Sequence, residues 1–181
     1  NLFDFTLRFK GFPMGDATRH LKEIQSLSDS EFEGDLEKRK QEIVRFHLKN
    51  NPFYAALAKG IGLNNWNSIP VLTKGDLQQP LENRLSKGYS KKNVYINKTS
   101  GSGGHPFIFA KDKFCHALTW AVIQDRFAWH DIDLKKSFQA RFYGIPLDFV
   151  GYQKERLKDS LSNRYRFPIF DLSDKKLEQF F

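Results

Sequence analysis

Sulfur is almost missing from this chain: one cysteine, Cys115, and one methionine, Met14, stand among 181 residues. A single thiol excludes an internal disulfide. Because Cys115 sits in an apolar pattern, it reads as a small buried hydrophobe. No histidine pairs with it or with carboxylates at metal-ligand spacing, so His20, His47, His105, His116 and His130 read as surface or core side chains and no metal site is expected. Long apolar runs are missing as well. The longest uncharged ones, residues 53–58 and 117–123, are far short of the roughly 18 residues that mark a membrane helix. At the start, Asp4, Arg8 and Lys10 are interleaved with aromatics, where a secretory signal would place a basic patch before an apolar stretch. A cytoplasmic protein is therefore expected. Asn1 stands where a methionine would open a reading frame, so residues preceding it are expected too.

Acidic side chains are the minority charge, 21 against 29 Lys and Arg, for a net charge of +8. The excess is spread over both halves, with 16 basic and 11 acidic residues in 1–100 and 13 and 10 in 101–181. Two enrichments stand out: Arg84, Lys87, Lys91, Lys92 and Lys98, and then Lys154, Arg156, Lys158, Arg164 and Arg166. Each is either a solvated face or an anion-attracting rim. Neither interleaves its cations with aromatics in a recognisable motif, which disfavours a nucleic-acid partner. With 40% hydrophobic and 28% charged residues the composition is that of a folded domain. The length allows one core, or one core with a helical appendage, and not a large two-domain enzyme.

Local signals place the elements. Ser28 and Ser30 each precede a glutamate by three residues, Glu31 and Glu33, the capping-box spacing, and both registers fit. Phe32, Leu36, Ile43 and His47 then recur at helical steps to about Lys49. The acidic run Asp29, Glu31, Glu33, Asp35 and Glu37 suits the dipole at that helix start and needs no catalytic role. Asn51-Pro52 opens a second helix that Gly60 stops. Thr73 with Asp76 reads as the cap of one helical turn, and Val94, Tyr95 and Ile96 as a strand. Strand character resumes at Phe107-Ile108-Phe109; Asp112 then caps a helix carrying Phe114, Leu118, Ala121, Val122 and Trp129 on one face. Phe138, Ala140 and Phe142 alternate as in a half-buried strand; a helix over 149–161 and the start of another at Ser173 follow.

Between the two central strands lies Thr99-Ser100-Gly101-Ser102-Gly103-Gly104-His105-Pro106, the one segment whose composition asks for a ligand. Glycines let backbone N–H groups turn inward without Cβ obstruction, and the hydroxyls add donors, so such a loop can wrap phosphate oxygens. Composition alone equally allows a plain flexible hairpin. No G-K-[ST] follows, which excludes the Walker pattern, and no helix follows the loop directly, which excludes the dinucleotide fingerprint.

The string from Asn97 to Phe107 resembles the phosphate loop of the adenylate-forming superfamily, [ST]-S-G-[ST]-T-G-x-P. Upstream, Asn51-Pro52-Phe53-Tyr54, Trp66 and Ile69-Pro70-Val71-Leu72-Thr73-Lys74-Gly75-Asp76-Leu77 are similar, in order and spacing, to the lead-in of phenylacetate–CoA ligase-like proteins. Arg141-Phe142-Tyr143-Gly144 and Arg164-Tyr165-Arg166-Phe167-Pro168 resemble the branch of capsular polysaccharide biosynthesis proteins. The resemblance runs from about Phe53 to Phe181. It implies activation of a carboxylate by ATP with Mg2+, through an acyl-adenylate, and transfer of the acyl group to CoA or another acceptor. It also implies that Thr99, Ser100, Gly101, Ser102, Gly103, Gly104 and Pro106 hold the nucleotide phosphates. Gly103 stands where the family usually has threonine, and Phe107 where many relatives have lysine. The family's later motifs, for adenine, ribose and the catalytic lysine, have no counterpart, so no catalytic residue is assigned.

The expectation is thus an α/β fragment: a helical segment and lead-in over 1–80, then the beginning of an adenylation core over 81–181, the first part of a larger mixed sheet. Its partners would be a nucleotide and a carboxylic acid. Phe107, Phe109, Phe138 and Phe142 would lie on strands covered by elements outside the fragment, an apolar surface open to self-association. Two rivals are a non-catalytic nucleotide-binding or scaffold protein of capsule assembly, which Gly103 favours, and a basic nucleic-acid-binding domain. Because the later motifs are missing, the 181-residue chain incubated with ATP, Mg2+ and a panel of aryl and fatty acids should release no acid-dependent pyrophosphate. Release above the acid-free background would overturn that expectation.

Overall fold

The computed structural model describes residues 2–60, 66–99, 106–134, 136–143, 149–161, 163–169 and 173–178. They belong to two compact units, Gly15–Leu118 and a second that joins Asn1–Met14 to Thr119–Phe181. Helices accompany two small sheets, so the class is mixed α/β.

Two helices that the sequence reading passed over come first, α1 (Leu2–Phe9) and α2 (Met14–Gln25). α2 begins directly after Pro13, with Asp16 in its first turn, where a carboxylate suits the helix dipole. In α3 (Asp29–Asn50) the choice of cap is settled for Ser28, whose N–H and hydroxyl both donate to the Glu31 carboxylate at 2.8 and 2.6 Å. The two bonds hold the Glu31 carboxyl below its ordinary range, the hydroxyl contributing most. The expected inward stripe is corrected, for Phe32, Leu36 and Ile43 are exposed and Val44 is the buried residue. The physical reason is polar. On the flank of that stripe Asp35 pairs with Arg39, whose Nη1 lies 2.9 Å from His20 Nε2 of α2, so this helix–helix contact is made by charge and imidazole.

α4 (Pro52–Leu57) follows with Asn51 as its cap and Pro52 at the first helical position. Asn51 is buried and its amide is used fully. Oδ1 accepts from Tyr54 N–H at 3.0 Å, while Nδ2 donates to the Arg84 carbonyl at 2.9 Å and to Ser86 Oγ at 3.2 Å. Gly60, at φ 87°, takes the left-handed conformation that ends this segment. Thr73 and Asp76 make the expected reciprocal bonds, Thr73 N–H and Oγ1–H to the carboxylate and Asp76 N–H to Oγ1, but residues 74–77 form a turn rather than a helix. α5 (Leu81–Arg84) leads to the antiparallel pair β1 (Tyr95–Lys98) and β2 (Ile108–Lys111).

Asp112 caps α6 (Lys113–Ala128), Oδ1 accepting from Cys115 N–H at 2.6 Å. The buried side chains of this helix are His116, Ala117 and Ala121. Phe114 is exposed, and Trp129 lies past the helix end, 68% exposed, so the expected face is displaced toward the small residues that allow close approach. Cys115 is exposed, against the expectation of burial.

In the second unit β3 (Gln139–Tyr143), α7 (Phe149–Ser160) and β4 (Arg164–Pro168) form a βαβ arrangement whose strands pair in parallel, Gln139 opposite Arg164 and Phe142 opposite Phe167. A short α8 (Asp174–Glu178) starts after Ser173. α7 is tied to β4 by Arg166, which donates to Asp159 at 2.9 and 3.2 Å and to Glu155 at 3.0 Å. Glu155 is held below the ordinary carboxylate range by its bond from Lys158 and then by Arg166. The alternation of β3 is reversed from expectation: Phe138 and Phe142 are 73% and 44% exposed, while Gln139 and Arg141 are half-buried and bonded to each other. Phe142 stacks on Phe167 at 5.3 Å, and Phe138, Tyr165 and Phe167 with Trp120 and Phe127 line an open groove of about 1220 Å³. Among the described residues no helix is long and apolar enough to cross a membrane.

The Asn51 knot yields a test. Asn51→Ala leaves the Tyr54 N–H, the Arg84 carbonyl and Ser86 Oγ without this partner, and should destabilise the chain by about 2–3 kcal/mol in urea unfolding, combining cap loss with buried unsatisfied groups. Asn51→Asp keeps the cap acceptor but sets a buried oxygen against the Arg84 carbonyl in place of the Nδ2 donor, and should also destabilise the chain. Equal stability of Asn51→Ala and the native chain would show that the knot contributes nothing.

Candidate functional site

The glycine-rich connection joins β1 to β2, placed on a hairpin because Tyr95 to Lys98 and Ile108 to Lys111 pair in antiparallel register. Pairing extends one residue past the strands: Thr99 N–H donates to the Phe107 carbonyl at 2.9 Å, and Phe107 N–H donates to Thr99 Oγ1 at 3.0 Å. The hydroxyl of Thr99 thus closes the neck as an acceptor while keeping its own proton to give. Of the residues singled out in the sequence, Thr99 and Pro106 are described and exposed; Ser100, Gly101, Ser102, Gly103, Gly104 and the neighbouring His105 lie outside the described residues.

Arg84 braces this neck, a role that no sequence signal indicates because the contact spans 24 positions. From α5 its Nη2 donates to the Ile108 carbonyl at 2.6 Å and its Nε to the Gln79 carbonyl at 3.0 Å. Its guanidinium carbon sits 5.4 Å from the centroid of the Phe107 ring, and Phe107 stacks with Phe109 at 5.8 Å. A planar cation can serve two carbonyls and an aromatic face at once, which an ammonium group cannot. Partial burial pulls the Arg84 pKa down from its ordinary value, far from any loss of charge at neutral pH.

The charge around the neck is one-sided. Residues 83–111 contain no Asp or Glu, and Arg84, Lys87, Lys91, Lys92, Lys98 and Lys111 lie among them. Lys91 pairs with Glu82, whose carboxyl that bond holds below its ordinary range, while Lys87, Lys92 and Lys98 are exposed. Such a stretch attracts a polyanion and offers no carboxylate to a metal. Among the described residues no three His, Cys, Asp or Glu come together as a metal site.

At the base of the hairpin His116 of α6 stacks on Tyr95 at 3.6 Å. Burial, and then the charge of Lys111, push its pKa below the ordinary histidine value, so the ring is neutral at neutral pH. Beside it a cleft of about 290 Å³ is lined by Ile43, Phe46, His47, Tyr89, Phe109 and Cys115 among others. Arg84, Val94 and Lys111 also line it, so it runs along the hairpin beside the Arg84 brace. Compared with protein-family models, curated proteins and solved structures, the chain matches none.

The neck is testable. Thr99→Val removes the acceptor of Phe107 N–H and should speed amide exchange at Phe107 by about fivefold to tenfold, the equivalent of one net hydrogen bond. Thr99→Ser should restore native protection. Unchanged exchange in Thr99→Val would show that the hydroxyl does not hold the neck.

Proposed function

We propose that this chain carries the phosphate-binding region of a cytoplasmic, ATP-dependent, AMP-forming carboxylate-activating ligase that resembles phenylacetate–CoA ligases, serving surface-polysaccharide assembly. The observation that carries the reading is the tied hairpin: the string resembling the family's phosphate loop connects two paired strands, with Thr99 and Phe107 bonded across its neck and a carboxylate-free basic stretch around it. On this reading the hairpin belongs to a larger mixed sheet of the adenylation core.

In the reaction a substrate carboxylate oxygen attacks the α-phosphorus of ATP. The bond from that phosphorus to the bridging oxygen breaks, and the electron pair leaves with pyrophosphate. The acyl-adenylate then yields its acyl group to the thiol of CoA or another acceptor, releasing AMP. The chain's part is to hold the β- and γ-phosphates. Ser100 and Ser102 donate from their hydroxyls, Gly101, Gly103 and Gly104 offer backbone N–H groups, Thr99 donates the proton that its neck bond leaves available, and Pro106 closes the segment. Mg2+, which the resemblance also implies, finds no ligand cluster among the described residues, and no step is drawn through it.

In the enzyme as the cell encodes it, with whatever sequence flanks these residues, Ser100→Ala and Ser102→Ala should each lower kcat/KM for ATP by about one to two orders of magnitude, the worth of a hydrogen bond to a charged group. The readout is acid-dependent ATP–pyrophosphate exchange, with Tm unmoved in both variants. Native kinetics in both variants, or a Tm that collapses along with activity, would make the loop scaffold. ATP binding without exchange would favour the non-catalytic nucleotide-binding alternative.

A further inference from the structure

α1 presents two unlike faces. Leu7 is 7% exposed, whereas Phe5 and Phe9, one helical turn apart, are 63% and 84% exposed. Their rings stack with centroids 6.5 Å apart and planes 22° apart, so the two side chains form one continuous aromatic ridge standing in water. Arg8 is exposed on the same helix, and Lys10 is exposed just past its end. The helix end is fixed in place. Gly11 N–H donates to the Arg8 carbonyl at 2.8 Å and Phe12 N–H to the Leu7 carbonyl at 3.0 Å, with Gly11 at φ 76° making the turn. The ridge is therefore presented by an ordered segment.

We infer that α1 is a contact for an anionic membrane surface, with the Phe5–Phe9 ridge entering the boundary between headgroups and acyl chains while Arg8 and Lys10 stay at the phosphates. Eight residues are far too few to span a bilayer, and an amphipathic helix with aromatics on one side and cations beside them lies in the interfacial plane. Charge selects the occupant. The chain carries +8, and Asp4 is the one acidic residue among its first fifteen, so a second copy meets like charge whereas an anionic leaflet meets opposite charge. Shape agrees, since a convex ridge needs a groove in a protein partner, but a bilayer yields to it. This inference does not depend on the ligase reading, because none of these residues belongs to the hairpin.

The test is flotation of the purified chain with phosphatidylcholine vesicles that contain or lack phosphatidylserine. Binding should require the anionic lipid and weaken as salt rises. Phe5→Ser/Phe9→Ser should reduce it by about tenfold or more, and Arg8→Gln/Lys10→Gln by several-fold with a shallower salt dependence. Circular dichroism monitors folding of each variant. Phe9→Trp, which keeps the ridge apolar, supplies a reading that needs no loss of fold: its added emission should shift to the blue on anionic vesicles and be quenched by brominated lipid. Absence of flotation overturns the proposal, as does binding that ignores both double variants or is equal on neutral vesicles. A dimer in sedimentation that disappears in Phe5→Ser/Phe9→Ser, without vesicle binding, would assign the ridge to a second copy instead.

Discussion

The Gly15–Leu118 unit depends on one buried amide. Asn51 ends α3, caps α4 and, through Nδ2, grips the Arg84 carbonyl and Ser86. The neighbouring Asn50 carbonyl accepts from Lys87 N–H at 2.7 Å, so two successive residues pin the same segment. Arg84 in turn reaches the Ile108 carbonyl on β2. The helical lead-in and the hairpin are therefore linked by a short relay of hydrogen bonds, Asn51 to Arg84 to Ile108, beside the cleft that Ile43, Phe46 and Phe109 line. That is a brittle way to hold a loop. At its buried end, where Asn51 meets Ser86, loss of one member leaves the other with a desolvation cost; the Arg84 bond to Ile108 is exposed and open to replacement by water.

Much of the architecture was legible because its signals are local. The Ser28–Glu31 and Thr73–Asp76 pairs, Asn51-Pro52, Gly60 and Asp112 each act within four residues, and each makes the bonds or the turn that its spacing implies. What the sequence hid is long-range or concerns direction. Arg84 reaches across 24 positions, and His116 stacks on Tyr95 because α6 folds back on β1. The apolar residues of α3 and β3 have helical and strand periodicity, yet periodicity says only that a face exists. Which face is covered depends on what packs there, and here Asp35–Arg39–His20 and Arg166–Asp159–Glu155 claim the inner contacts. α1 escaped notice because its five phenylalanines and leucines fall within only eight residues, about two turns, too short a run for periodicity to mark a helix. Of the candidate site, the strands could be read in advance; the bond of Phe107 N–H to Thr99 and the Arg84 brace could not, and Ser100, Gly101, Ser102, Gly103 and Gly104 lie outside the described residues.

The parallel pair in the second unit presents a different balance. Parallel strands are ordinarily covered on both faces, and a two-stranded sheet alone is marginal. Here α7 engages the charged side through Arg166, and Phe138, Ala140, Tyr165 and Phe167 face the open groove. Ring stacking between Phe142 and Phe167, and of the Arg156 guanidinium over Tyr165 at 4.6 Å, recovers part of what full burial would supply. Among the described side chains of that pair, Phe167, 4% exposed, is the buried one.

The way the chain is divided has a consequence for its synthesis. The unit Gly15–Leu118 is continuous, so it can close as soon as its last residue clears the ribosome. The other unit is split between the first fourteen residues and those from Thr119 onward. At synthesis rates of about 5–20 residues per second, α1 waits several seconds for the segments it belongs with, Leu7 uncovered meanwhile. α1, which precedes the continuous unit in the chain, is thus the later of the two to acquire its setting, and that interval is the stage at which a chaperone or an unintended partner has the longest opportunity to bind.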